Sequence, residues 1–144
     1  IPFQMSSVEF FTMVKEHLNE NGVMVVNMNM RGNNEGNINQ YLSDTIASVF
    51  DHIVTVDVDG STNRELYDSS NADMVKTLEN NANETGHSDL RDMMLHVADT
   101  SSVYEAGDYI MTDDKAPEQL IQGEVAYYKD IFEKDGINGL LESL

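Results

Sequence analysis

The sequence predicts an α/β or α+β unit that holds only part of a sheet, and three observations carry that prediction. Patterns alternate along the chain as helix, strand, helix, strand, short strand, helix, helix, strand, helix. One segment, GVMVVNMNMRG at 22–32, opens with an uninterrupted apolar run of the kind buried on both faces of a parallel sheet. The several leading strands and the Gly-rich ligand turn of a doubly wound sheet are missing, so the chain reads as the second half of a fold.

Each element has its own signal. Val8, Phe10, Phe11, Met13, Val14 and Leu18 recur at helical spacing, and Ser6 with Glu9 fits a capping box at the start. Asn21-Gly22 suits a left-handed helix end, and the strand 23–28 follows at once. After the polar loop 31–37, residues Ile38, Tyr41, Leu42, Ile46, Val49 and Phe50 mark a second amphipathic helix. The alternating, β-branched run 52–58 predicts a strand, Asp59-Gly60 a turn, and 64–69 a short antiparallel return. Helices are expected over 73–82 and 88–98, split by NANETGHS. DYIMT at 108–112 reads as a short strand or extended segment, and 118–132 as a last helix capped near Gly136. There is no internal repeat and no domain boundary, so 1–144 is expected to form a single unit. The nine methionines, among them Met24, Met28, Met30, Met93 and Met94, are expected mostly at core-facing positions as gap fillers.

Composition excludes several function classes. Eight Lys and Arg stand against 26 Asp and Glu, for a formal net charge of −18, and such a surface repels nucleic-acid phosphates. The same field attracts cationic ligands, although plain solubility explains an acidic surface equally. With no cysteine, disulfides and thiolate metal sites are out. No signal-peptide pattern and no apolar stretch of membrane-spanning length is present, which gives the expectation of a cytoplasmic protein. The chain begins Ile1-Pro2-Phe3, without an initiator methionine, and is expected to be a processed piece or to lack residues ahead of it.

Most local motifs fail on their chemistry. RGNNEG lacks GxGxxG spacing and opens no helix immediately, so no nucleotide fingerprint is read there. DVDGSTNREL resembles a calcium loop only until Gly60 is set at the sixth position. Thr55 and Leu66 then fall where an aspartate and a bidentate glutamate are required, and a β-turn is the better reading. His17, His52, His87 and His96 are scattered without ligand spacing, and no serine or threonine pairs with a histidine and an acid. No catalytic, cofactor-binding or metal-binding residue is therefore assigned.

Two features remain as candidates. Asp113 and Asp114 follow an apolar extended segment and precede Lys115-Ala116-Pro117; they can hold an ammonium group or cap the following helix. Asn27 and Asn29 close the apolar strand at its carboxyl end, where α/β folds place ligands. Their amides can serve a ligand or simply bond the next loop.

Taken together, IPFQMSSVEFF, GVMVVNMNM, TVDVDGSTNRELYDSS, YIMTDDKAP and EVAYYKDIF resemble the C-terminal half of bacterial spermidine synthase-like proteins, the polyamine aminopropyltransferase family. Some of its members are fused to membrane transporter-type segments, so the chain could equally be the cytoplasmic domain of such a parent. The resemblance covers nearly the whole chain and implies a Rossmann-like, S-adenosylmethionine-dependent methyltransferase-type fold with strand order 3-2-1-4-5-7-6. It implies that 23–28 is strand 5 and that 52–58 and 64–69 are the 6/7 pair. The cofactor loop and catalytic aspartate would then lie before Ile1, in an N-terminal half of the same protein. The implied reaction moves an aminopropyl group from decarboxylated S-adenosylmethionine to a polyamine or other small amine. Gln4, Asn27, Asp113 and Asp114 are implied as substrate-binding contributors, and the chain alone is expected to be inactive. Two departures are visible: DVDGSTN lacks the tyrosine-containing pattern of the 6/7 turn, and relatives carry more residues where Pro117 meets Glu118. A different class of reading is a non-catalytic ligand-binding or dimerisation module, with exposed strand edges and apolar helix faces covered by a second copy.

Overall fold

In a computed structural model, residues 3–28 and 35–143 are described. A 3-10 turn, Phe3–Met5, leads into helix α1 (Val8–His17) and strand β1 (Val23–Met28). Helix α2 (Ile38–Ala47) crosses to strand β2 (His52–Asp57), which turns back as β3 (Arg64–Ser69). Helices α3 (Met74–Glu84) and α4 (Ser88–Thr100), the two-residue β4 (Ser102–Val103) and the long α5 (Ala116–Ser143) complete the chain.

The sheet order is β1-β3-β2-β4, and every pairing is antiparallel. β1 and β2 therefore run parallel to each other with β3 inserted between them. Register places Asp68 between Met24 and Ile53, Leu66 between Val26 and Thr55, and Arg64 between Met28 and Asp57. Directly opposed residues share a face, so these nine side chains form one side of the sheet. That side meets the main core, in which Met28, Ile53 and Leu66 pack with Phe11, Leu42, Ile46, Phe50, Met111 and Ala116. Val23, Val25, Asn27, Glu65, Tyr67 and Val54 stand on the other side. There α3 and α4 roof part of the sheet and leave an apolar groove of about 360 Å³, lined by Val23, Val25, Val54, Tyr67, Leu78 and Val97 among others.

Several sequence expectations change in the structure. β1 is not buried on both faces of a parallel sheet: Val23 and Val25 remain 42% and 51% exposed, and among the described residues its outer edge has no partner strand. The cap of α1 is Ser7 rather than Ser6, its hydroxyl accepting from Phe10 N at 3.3 Å, while the Glu9 carboxylate accepts from Asp113 N at 3.0 Å. The capping box is thus replaced by a tie to a distant segment. α1 ends at His17 with an extended Leu18, and Gly22 does not take a left-handed conformation. Gly22 is needed for space instead, since a Cβ there would lie 2.9 Å from Leu18 Cβ. Residues 108–112 join no ladder, with a bend at Asp108 and Ile110 N donating to Asp108 O at 3.1 Å; the edge strand is the unexpected β4. The methionines divide: Met28 and Met111 are buried, whereas Met5, Met13 and Met93 are exposed and Met30 lies outside the described residues.

Other expectations hold. The β2–β3 turn has Gly60 at φ 70°, with Ser61 N donating to Val58 O and Val58 N to Asn63 O. α5 starts two residues early and is broken at Gly136, whose backbone (φ 64°, ψ −157°) lies in a region open essentially to glycine alone. Lys15 reaches from α1 to Val49 O at 2.6 Å and to Asp51 at 3.0 Å, fastening α1 to the end of α2.

Candidate functional site

The carboxyl end of β1 is where helices on either side of it begin, because α1 leads into β1 and α2 leads out of it. Two groups of polar side chains gather around this end, on opposite sides of the sheet.

The first group surrounds the start of α1. Ser7 Oγ caps the helix and also donates a short hydrogen bond to the Asp113 carboxylate. Val8 N donates to Met111 O at 2.9 Å, and Asp113 N to Glu9. Segment 111–113 is thereby stitched to the first turn of α1, where a carboxylate is favoured by the helix dipole. Asp113 accepts from the Ser7 hydroxyl, which itself caps α1, and among the described residues no α5 backbone N–H donates to Asp113 or Asp114. Lys115 N and Ala116 N at the start of α5 donate to Thr112 O. Gln4, Asp113 and Asp114 are all exposed at this corner, and Asp114 makes no side-chain hydrogen bond among the described residues.

A buried carboxylate fixes the path of the chain into that corner. Asp44 on α2 is fully buried and accepts from Tyr104 Oη at 2.6 Å, Gly107 N at 2.9 Å and Tyr109 N at 3.1 Å. Thr45 Oγ1 next to it accepts from Met111 N at 2.9 Å. Segment 104–111 is a strap laid across α2: the N–H groups of Gly107, Tyr109 and Met111 donate to α2 side chains, while Tyr104 N donates to Ile53 O and Ile110 N to Asp108 O. Burial, then the Asp44 carboxylate, raises the Tyr104 hydroxyl's pKa. Tyr109 stacks edge-on against Tyr41 and donates to Glu35 at 3.2 Å, which ties the strap to the loop that follows β1.

The second group lies on the open side of the sheet. Asn27 is exposed near the carboxyl end of β1, directly across from Glu65 on β3. Tyr67, two residues on, donates to Glu65 Oε2 at 2.5 Å. Its hydroxyl pKa is pushed up to about 12, first by burial and then by that carboxylate. Asn27, Glu65 and Tyr67 therefore form a polar cluster at the end of the apolar groove. The structure brings Gln4, Asp113 and Asp114 to one corner and leaves Asn27 on the other side of the sheet; Asn29 lies outside the described residues.

Sequence reasoning missed Asp44, Glu65, Tyr67 and Asp68. Signals existed for the strand residues: in RELYDS the period of two puts Asp68 in phase with Leu66, an acid on the inward face. For α2, Tyr41, Asp44, Thr45 and Ser48 recur at helical spacing beside the apolar stripe, a polar row suited to a covering segment. Among the described residues, no cluster of His, Cys, Asp and Glu has the geometry to hold a metal ion.

An α/β chain with this sheet order is related along its whole length to a polyamine aminopropyl transferase. The relative is the "Probable polyamine aminopropyl transferase" of Bifidobacterium longum (strain NCC 2705), 44% identical over 170 aligned positions that take in all of this chain. The alignment is longer than the chain's 144 residues, so the relative carries residues absent here within the matched stretch. The chain spans 38% of that relative's length. No family model matches the chain, and no solved structure matches it.

Proposed function

We infer that this chain is the C-terminal part of a spermidine synthase-like transferase, which in a longer protein moves an aminopropyl group from decarboxylated S-adenosylmethionine to a small amine. The observation that carries the reading is the 44% identity to a polyamine aminopropyl transferase across the whole chain. Topology supports it: two parallel strands joined by a helix, with a later antiparallel strand inserted between them, match strands 5, 6 and 7 of the methyltransferase-type order. Donor-binding loop and catalytic aspartate would then belong to strands beside the open edge of β1.

In this reading the chain supplies one wall of the amine pocket. A protonated amine is held by carboxylates and amide oxygens, and transfer requires one amine to give its proton to a base and attack the carbon beside the sulfonium, breaking that carbon–sulfur bond and releasing methylthioadenosine. Asn27 and Glu65 offer such a pair on the open side, with Tyr67 as an aromatic wall. Gln4, Asp113 and Asp114 offer a second acidic patch at the α1 corner, where Ser7 already engages Asp113. The cytoplasm is the proposed location, for a free enzyme or for the cytoplasmic domain of a membrane-fused parent. No helix among the described residues is long and apolar enough to cross a membrane.

The test compares this chain with a longer protein that includes an upstream half. Calorimetric titration of the longer protein with methylthioadenosine and spermidine should show binding of both, and residues 1–144 alone should transfer no aminopropyl group. Glu65→Gln in the longer protein should raise the amine KM about tenfold while methylthioadenosine affinity stays unchanged. Binding of neither ligand by the longer protein, or turnover by this chain alone, would overturn the reading.

A further inference from the structure

The apolar groove on the open side of the sheet ends at a carboxylate. Val25, Tyr67 and Val54 stand directly across from one another on β1, β3 and β2 and form its floor. Leu78 of α3 and Val97 of α4 wall it, and the space of about 360 Å³ is that of a small-molecule site. Val25 is 51% exposed, so its apolar surface is open to a ligand.

One end is different in kind. The Tyr67 hydroxyl donates to Glu65 Oε2 at 2.5 Å, and the other carboxylate oxygen has no hydrogen bond among the described residues. Asn27 lies directly across from Glu65 on the same face. A cation there gains an ion pair with Glu65, an amide oxygen from Asn27 and the face of the Tyr67 ring. The formal net charge of −18 draws cations to such a spot.

Beyond that end the charge stops. The polar residues in the groove lining, Asn21, Thr77, Asn81 and Ser101, are all neutral. A second ammonium group carried along the groove would lose water against valine and leucine with no carboxylate in the lining to pair with it. A hydrocarbon chain suits the same walls, each buried methylene strengthening binding about fourfold. We propose that the groove binds a primary amine with one ammonium head at Glu65 and an unbranched hydrocarbon tail along Val25, Val54 and Leu78, in preference to a polyamine of equal length. The assignment rests on the transferase reading only in taking Glu65 and Asn27 as the amine's anchor; the preference for a single head comes from the groove itself.

Calorimetric titration of the 144-residue chain at high salt, which screens the general field of an acidic surface, tests this. Affinity should rise about fourfold per methylene from propylamine to hexylamine. The six-carbon diamine should bind about tenfold more weakly than hexylamine. Val25→Thr keeps the shape of the floor and should weaken hexylamine about fivefold. Glu65→Gln should weaken hexylamine about tenfold and leave the affinity for hexanol unchanged. An affinity independent of tail length, a diamine that binds as tightly as hexylamine, or variants that leave hexylamine binding intact would each overturn the proposal. If the longer protein binds methylthioadenosine and spermidine while this chain shows no preference for the alkylamine, the groove's assignment alone fails. If the alkylamine binds here and the longer protein binds neither ligand, the transferase reading alone fails.

Discussion

Asp68 sits at the centre of the sheet between Met24 and Ile53, fully buried, and neither carboxylate oxygen has a hydrogen-bond partner among the described residues. Burial pushes this carboxyl from its ordinary 3.8 up to about 7. The unfolded chain releases the proton near the ordinary value, whereas the folded chain holds it until near neutrality. Between those limits the unfolded state binds fewer protons, so folding stability falls as pH rises, by about 1.4 kcal/mol per pH unit at most. Over the full window the loss approaches ~4 kcal/mol, an upper value because water penetration and relaxation soften it. Small domains have only about 5–15 kcal/mol in hand, so the effect is large. Asp68→Asn preserves shape and removes the ionisation, while its unpartnered amide costs roughly 1–3 kcal/mol at every pH. The variant should therefore be less stable than the parent at pH 3.5, gain on it steadily between about pH 4 and pH 7, and exceed it by a constant margin at pH 8.5. Urea unfolding followed by circular dichroism gives both curves, and their difference cancels the remaining carboxylates. A difference that stays flat with pH, or a parent still more stable at pH 8.5, would refute the reasoning.

Asp44→Ala removes the acceptor for Tyr104, Gly107 and Tyr109 at once. It should cost about 3 kcal/mol or more in thermal unfolding and speed amide exchange at residues 107 and 109 specifically. Gly107→Ala puts a Cβ 2.5 Å from Asp44 Oδ2 and should destabilise by roughly 1–3 kcal/mol, most of it relieved when Asp44 is also alanine. Lys15→Ala should raise the Asp51 carboxyl's pKa, which the Lys15 hydrogen bond now lowers, as read by NMR titration, with little change in stability for so exposed a pair.

Local chemistry made most elements legible. Period-two runs marked 52–58 and 64–69, the Asp59-Gly60 turn joined them, and the stripe from Ile38 to Phe50 marked α2, because short-range patterning alone decides these. What stayed hidden was long-range. Nothing in VMVVNM distinguishes a strand walled on both sides from one with an open face, since identical residues suit either until the neighbours are known. Ser7 displaced Ser6 as the cap because Asp113, about a hundred residues away, needs its hydroxyl. The strap over α2 read as a strand at 108–112 because nothing local shows that Gly107, Tyr109 and Met111 N–H are taken by Asp44 and Thr45 side chains instead of a ladder. Asn27 was legible as a strand-end polar group, whereas Asp113 and Asp114 follow a segment that joins no ladder; only the fold could set them on the other side of the sheet from Asn27, and Glu65 became a candidate only through its register with Asn27.

The insertion of β3 between β1 and β2 has a consequence for the order of assembly. β2 and β3 are joined by a tight turn and can zip locally, whereas β1 must wait, about 40 residues upstream, for a finished hairpin to dock against. The chain therefore closes like a door onto a preformed jamb. Once closed, β1 is hung from β3 by a single ladder among the described residues, so the hydrogen bonds between Val23–Met28 and Arg64–Ser69 open more readily than those within the β2–β3 hairpin. Whatever lies along the free edge of β1 would lock that seam.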